Sequence, residues 1–363
     1  MKRLLVCLFA CVAAAHADEI VYSGYMISDN SNNSVATTAF SLAKTLWSRT
    51  MILMDVELDQ TTVPPLEDAV TGASRPTRQS KSEFRKNRGQ ILAGLGQDLG
   101  ENTRVTAQYY FSQEPDYQSQ AVIASLTQDF LQKNFTVSLR AQYTYDSVGE
   151  ILDNGSVRNA GKETHRASLI LTQLLSPRSI LRGGADAVRR HGLLSDPYRK
   201  VEIPGTADTV IERHPNMHFQ YAVWSEITQY LAPIDGAFIV KYRYYWDDWG
   251  MKSNTADFQF NKYLTKNWIF TPQYRYYDET KANFEGYGST GTYDAVDYKL
   301  QQFGSNGAGA ALTCFLKAFS RNHPTWDFLN NSSVSALYLH YFNDLSPTHY
   351  SADLVQGSLK FTF

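Results

Sequence analysis

From about residue 20 to the last residue, apolar and polar positions alternate with period 2, and no stretch sustains a helical period. Phe135, Val137, Leu139, Ala141 and Tyr143 share one face of an extended segment, and Thr136, Ser138, Arg140 and Gln142 share the other. Phe238, Val240, Tyr242, Tyr244 and Trp246 repeat the pattern opposite Lys241 and Arg243. Phe270, Pro272, Tyr274 and Tyr276 stand opposite Gln273 and Arg275. The last segment sets Val355, Gly357, Leu359, Phe361 and Phe363 against Gln356, Ser358, Lys360 and Thr362. Followed along the chain, the pattern predicts strands at 20–28, 35–46, 49–60, 85–98, 103–112, 119–130, 134–146 and 163–175. It continues with 179–190, 214–230, 236–247, 251–264, 267–279, 302–316, 331–344 and 350–363. That makes sixteen strands. Fourteen is the alternative, because the first two strands and the glycine-rich segment 304–309 carry the faintest alternation.

Alternation alone also suits a soluble sandwich. Aromatic residues, however, collect at strand ends and acids follow at once. Tyr109-Tyr110-Phe111 precedes Glu114 and Asp116, and Tyr143 and Tyr145 precede Asp146. Tyr244-Tyr245-Trp246 precedes Asp247-Asp248, Tyr276-Tyr277 precedes Asp278-Glu279, and Tyr341-Phe342 precedes Asp344. Rings at an interface with charge just outside make the aromatic girdle of a membrane barrel, here assigned to Tyr109, Tyr143, Tyr244, Trp246, Tyr276 and Phe342. Connections also alternate in kind. Tight polar turns occur at 100–102, 132–134, 176–178, 233–236 and 266–267; longer loops occur at about 61–84, 147–161, 190–213 and 280–298. The expected fold is therefore an all-β transmembrane antiparallel β-barrel with short periplasmic turns and long extracellular loops. The C-terminal aromatics Phe361 and Phe363 resemble the signal read by the outer-membrane assembly machinery, the alternative being a soluble edge strand that ends in Phe.

Composition narrows the choice. The 363 residues are 43% hydrophobic and 19% charged, with 23 Tyr and 19 Phe, too apolar and aromatic for a disordered chain. A formal charge of −2 shows no basic excess, which argues against nucleic acid as a partner. Mean hydropathy is −0.36, and no segment after residue 17 offers the ~20 apolar residues of a membrane helix. Lys2-Arg3, the apolar run Leu4–Ala15 and Ala15-His16-Ala17 read as a signal peptide over residues 1–17, with the barrel spanning 18–363. Leu8-Phe9-Ala10-Cys11 is the competing lipoprotein box, which would shorten the apolar run to Leu4–Ala10. Cys314 alone follows the signal, so no internal disulfide is expected.

Candidate chemistry is sparse. His214 and His218 have the i, i+4 spacing of a helical metal pair, but on a strand they stand ~13 Å apart, too far to share an ion. A loop site joining His214 to His191 or His165 is the alternative. Asp247-Asp248 with Asp278-Glu279 could hold calcium or ions that bridge lipopolysaccharide, or could be a solvated rim above the girdle. Asp196-Pro197-Tyr198-Arg199 reads as a surface turn, or as a loop folded into the lumen. Ser195 near His191 and Ser225 after His218 form no recognisable nucleophile motif, so no enzymatic activity, cofactor or metal is expected. Arg140, Arg182, Lys241, Arg243, Arg275 and Glu226 fall on the polar face and are the candidate lumen-lining residues, with Asp129 and Asp186 in matching positions. Charge on the lipid face would cost ~2–4 kcal/mol at the midplane. Such residues either set a transverse field that selects solutes or pair across the lumen and plug it.

Three phrases carry a family resemblance: residues 58–74, from Leu58-Asp59-Gln60 to Gly72-Ala73-Ser74; Leu194-Ser195-Asp196-Pro197-Tyr198-Arg199; and Arg243-Tyr244-Tyr245-Trp246-Asp247-Asp248-Trp249-Gly250. Together they resemble a family of Gram-negative outer-membrane β-barrel proteins catalogued as a domain of unknown function. The resemblance covers nearly the whole chain after the signal and implies location in the bacterial outer membrane. It implies gene neighbours encoding thioredoxin-like proteins and a flavin transferase, and transfers no catalytic residue.

The expected function is a porin-like channel that passes small hydrophilic solutes, since a sixteen-stranded barrel leaves an aqueous lumen unless loops fill it. The loop at 61–84 is the expected constriction or plug. The rival is a structural or partner-binding barrel serving a periplasmic redox, flavoprotein or export system. Expected partners are outer-membrane lipids and lipopolysaccharide, the assembly machinery and a periplasmic partner.

Overall fold

In the computed structural model, sixteen antiparallel strands close into one barrel. The structure describes residues 18–363 except 31–33, 48, 62–66, 69–72, 75–85, 152–156, 197–199, 204, 207–208, 286–292, 294, 318–327 and 344–349. The signal-peptide reading (residues 1–17) therefore lies outside the described residues. So does the expected constriction at 61–84, apart from Thr61 and the two-residue strands Glu67–Asp68 and Ala73–Ser74.

The barrel strands are β1 (Glu19–Asp29), β2 (Ser34–Leu46), β3 (Thr50–Thr61), β4 (Lys86–Asp98), β5 (Thr103–Gln113), β6 (Tyr117–Phe130), β7 (Phe135–Ile151) and β8 (Val157–Ser176). They continue as β9 (Ser179–Gly192), β10 (Met217–Leu231), β11 (Gly236–Asp247), β12 (Lys252–Thr265), β13 (Trp268–Glu279), β14 (Phe303–Phe315), β15 (Ser333–Asn343) and β16 (Tyr350–Thr362). Each pairs with its chain neighbour, and β1 pairs with β16 from Glu19 opposite Thr362 to Asp29 opposite Ala352. That closing pair leaves no edge strand with unpaired backbone groups.

The three longest connections lie at one end of the barrel, the loop end, beside short ones such as 114–116 and 248–251, and tight turns dominate the other, the turn end. Two departures from the pattern reading are clear. The expected loop at 147–161 is mostly strand: β7 and β8 pair out to Ile151 opposite Val157, leaving only residues 152–156 between them. The turn end also carries one long connection, residues 316–332, between β14 and β15.

Period-2 alternation becomes inside and outside. Leu139, Tyr143, Val223, Val240, Tyr242, Phe258, Tyr274 and Tyr338 are exposed on the outer wall. Pro272 has no N–H to donate, and the β12–β13 ladder skips the pairs between Gln259–Gln273 and Lys262–Phe270. Thr271 Oγ1 donates to Asn261 Oδ1 at 2.9 Å across that gap.

Candidate functional site

The inward side chains divide the barrel into two halves. Towards the loop end many are buried, Thr37, Asp59, Ser112, Thr144, Asp146, Gln220, Tyr245, Thr255 and Tyr277 among them. Towards the turn end, inward Thr136, Ser138, Arg140, Arg182, Glu226, Lys241 and Gln259 all retain exposed surface. Exposure of the inward polar groups is greatest towards the turn end, although Arg88, level with Asp59 near the loop end, also keeps 36% of its side chain exposed.

The filling of the loop end is a packed cluster. Val188, Ala222 and Tyr245 from the wall and Trp249 and Met251 from the β11–β12 connection pack with Ala282, Ala295 and Leu300 from the connection between β13 and β14. Asp247, whose side chain is fully buried, organises it. Its carboxylate accepts hydrogen bonds from the Tyr245 hydroxyl at 2.6 Å and the Met251 amide at 2.8 Å, and lies 2.9 Å from His218 Nε2. The His218 ring stacks on Trp249 with centroids 3.7 Å apart and planes 7° apart. Nearby, His214 Nε2 lies 2.8 Å from Glu212 Oε1, and the other Glu212 oxygen accepts the Val296 amide at 2.9 Å. These bonds tie the connection before β10 to the one after β13.

That arrangement places the histidines and serines singled out in the sequence. His214 and His218 each face a different carboxylate and the same Trp249 ring. Among the described residues no group of three side chains could hold a metal ion. His165 packs against Tyr143 on the outer wall, with centroids 5.0 Å apart and planes tilted by 48°, and joins neither. Ser195 Oγ accepts the His214 amide at 2.8 Å, and Ser225 is exposed on the outward set of β10. The rim acids separate too: Asp247 is inside, Asp248 accepts the Phe219 amide, and Asp278 accepts from Asn254 Nδ2 at 3.3 Å. Asp196 is described, whereas residues 197–199 of its turn lie outside the described residues.

Four of the six candidate lumen residues fall in one cross-strand row. Arg182 pairs with Glu226, Glu226 with Lys241, Lys241 with Asp257, and Asp257 with Arg275. Five adjacent strands, β9 to β13, thus present charges of strictly alternating sign at one level of the lumen wall. The row continues through Gly307 to Tyr341. Arg182 Nη1 reaches Glu226 Oε1 at 3.1 Å, and Arg275 Nε stands 3.7 Å from Asp257 Oδ1. Lys241 closes no ion pair among the described residues; its amine lies 5.4 Å from the centre of the Trp224 ring. Trp224 in turn lies over Gly184, where an added Cβ would stand 2.6 Å from the indole. A cavity of about 320 Å³ opens beside the row, lined by Glu226, Lys241, Asp257 and Arg275 and, further along the same wall, by Leu339 and Tyr341.

The other two candidates stand elsewhere. Arg243 is one inward step closer to the loop end, with Nη1 3.8 Å from Asp186 Oδ2 and only 17% of its side chain exposed. Asp186 also meets Arg166 at 3.1 Å and Ser168 Oγ at 2.6 Å. Arg140 faces the lumen between Ser125 and Ser168 of the flanking strands and is exposed. Asp129 accepts the Thr136 hydroxyl at 2.7 Å nearer the turn end. Sequence reasoning passed over Asp257 and Trp224. Both were available from parity, since Ser253, Thr255, Asp257 and Gln259 form a polar set and Trp224 shares the parity of Glu226.

The six girdle candidates, Tyr109, Tyr143, Tyr244, Trp246, Tyr276 and Phe342, all fall on the outward set. Trp246 stacks against Tyr221 and Tyr244, each with centroids 5.6 Å away. Phe361 pairs with Ile20 on the outer wall, and Phe363 beyond it is 57% exposed. Phe328 packs against both at 6.1 Å.

A bacterial polysaccharide outer membrane secretin matches 96% of this chain over 99% of its own, with a TM-score of 0.52 and 9% identity. CdiB from Acinetobacter baumannii matches 95% of this chain over 60% of its own, with a TM-score of 0.55 and 9% identity. At that identity the likeness is one of fold: a closed barrel of the outer-membrane type. No curated protein matches in sequence. The family model described as "Protein of unknown function (DUF3570)" matches residues 44–160 and 150–318, and with most of the barrel inside those limits the chain belongs to that family.

Proposed function

We propose that this protein is an outer-membrane channel that passes small hydrophilic solutes, with the turn end in the periplasm and the loop end at the cell surface. The carrying observation is the wet, charged wall of the turn-end lumen, with the alternating row from Arg182 to Arg275 at its centre. A ladder of full charges on the inner wall of an apolar-coated barrel makes a water-filled path whose field acts on solutes. In this reading the loop-end cluster around Trp249, which takes in Ala282, Ala295 and Leu300, narrows the outer mouth, and loosening it widens the path. Planar-bilayer recording on the folded, detergent-extracted protein tests the reading. Discrete conductance steps, absent from the unfolded control, support it; silence from a demonstrably folded barrel overturns it.

One observation favours the second reading, a barrel that holds a periplasmic partner. The exposed charged row lies towards the turn end, and the connection 316–332 joins β14 to β15 at that same end. Crosslinking from the 316–332 connection in intact cells separates the two, because only a scaffold yields a stable periplasmic adduct. Neither reading invokes catalysis, a metal or a cofactor.

A further inference from the structure

The cavity beside the charged row has a chemistry of its own. Its wall carries Glu226 and Asp257 as acceptors, Lys241 and Arg275 as donors, and the amides of Gln259 and Gln273 below them. Adjacent strands lie ~4.8 Å apart, so unlike charges alternate along this wall at about the spacing found within one small molecule. Gln259 Nε2 donates to Gln273 Oε1 at 3.1 Å. That single bond leaves the Gln259 carbonyl free to accept and the Gln273 amide free to donate. Leu339 and the ring of Tyr341 form an apolar end of the cavity along the same wall, and Tyr341 leans over Gly307, where a Cβ would stand 2.9 Å from its ring.

An ion of one sign gains little here, because each attractive group has a repulsive neighbour on the next strand. A molecule carrying both charges is matched on both. From this geometry we infer that the cavity is a binding site for small zwitterions that carry an ammonium and a carboxylate, as in a free amino acid. The carboxylate takes Lys241, the group in the row that has no ion pair among the described residues, and the Gln273 amide. The ammonium takes Asp257, whose pair with Arg275 is loose at 3.7 Å, and the Gln259 carbonyl. Leu339 and Tyr341 take a short side chain. About 320 Å³ lies at the small end of ligand cavities and suits a molecule of that size. The inference rests on the channel reading for its biological sense, but binding is measured without flux.

The test uses three probes of nearly equal size: L-alanine, propionate (no ammonium) and ethylamine (no carboxylate). Each is titrated into the folded full-length barrel in detergent by ligand-observed NMR. L-alanine should bind at least about tenfold more tightly than either, since each lost charged contact leaves a group of the site unpaired. Lys241→Met should bring L-alanine down to the level of ethylamine, and Asp257→Asn to that of propionate. Lys241→Arg should keep the preference. Equal binding of the three probes to the wild-type barrel overturns the inference, whatever the variants do. A preference unchanged in both charge-removing variants overturns it as well. Selective binding without any bilayer current would leave this site standing and remove the channel reading; current without selective binding would do the reverse.

Discussion

The ammonium of Lys241 lies 5.4 Å from the centre of the Trp224 ring, although Glu226 and Asp257 flank it in register on the neighbouring strands. Arg182 shares the same ring at 5.7 Å. A cation over an aromatic face is held by the ring quadrupole at about 0.5–1 kcal/mol where water has access, weaker than a buried ion pair. Lys241 is therefore the cation of the row most readily offered to a passing solute.

Charge reversal at that position should change selectivity. Lys241→Glu places three acids side by side on β10, β11 and β12. In bilayers under a salt gradient, the zero-current potential should move towards cation preference, by about tenfold in the permeability ratio. An unchanged potential would place Lys241 off the solute path.

Arg243 should behave differently, because it is mostly shielded and stands 3.8 Å from Asp186. Arg243→Glu adds a second carboxylate beside one that Arg166 and Ser168 already hold. The expected result is a loss of roughly 1–3 kcal/mol of stability, with a smaller selectivity shift than at Lys241. Heat-dependent mobility of the folded barrel on gels reads the first, and the salt-gradient potential the second.

Loosening the loop end should open the mouth. Asp247→Asn keeps the size of the side chain but removes the charge that faces His218 and accepts from Tyr245 and Met251. About 1–3 kcal/mol of local stability should go. Protease should then cut the 280–302 connection faster, and the fraction of time spent conducting should rise. Equal cleavage of variant and wild type would show that Asp247 does not hold the plug.

Adjacent positions on β7 test the two faces. Leu139 is 48% exposed on the outer wall, and Ser138 faces the lumen, where its hydroxyl lies 3.1 Å from that of Thr127. Leu139→Arg should cost ~2–4 kcal/mol in a bilayer, while Ser138→Arg should be tolerated. Denaturant titration of both variants in lipid vesicles gives the comparison, and equal costs would contradict the assignment of faces.

Turn placement could be read directly in the chain, because a strand that buries one wall in a membrane must alternate and a hairpin must be polar where it turns. Segments such as 236–247 and 103–113 needed nothing beyond parity, and parity also assigned Arg140, Arg182, Glu226, Lys241, Arg243 and Arg275 to the inner wall. The limits of the 147–161 hairpin were less legible: its polar sequence signals a loop, yet backbone pairing carries it on past the girdle.

What the sequence by itself determined about this protein is which face each residue takes, since the period of 2 is a local property of an extended chain. What only the tertiary structure decided is which residues stand at the same level. Arg182, Glu226, Lys241, Asp257 and Arg275 are scattered over more than ninety positions and become one row solely through the registers of four hairpin pairs. The filled loop end was equally out of reach. Trp249 meets Leu300, and Glu212 meets Val296, only when connections between different strands fold into the same space, and no periodicity along a single chain encodes those meetings.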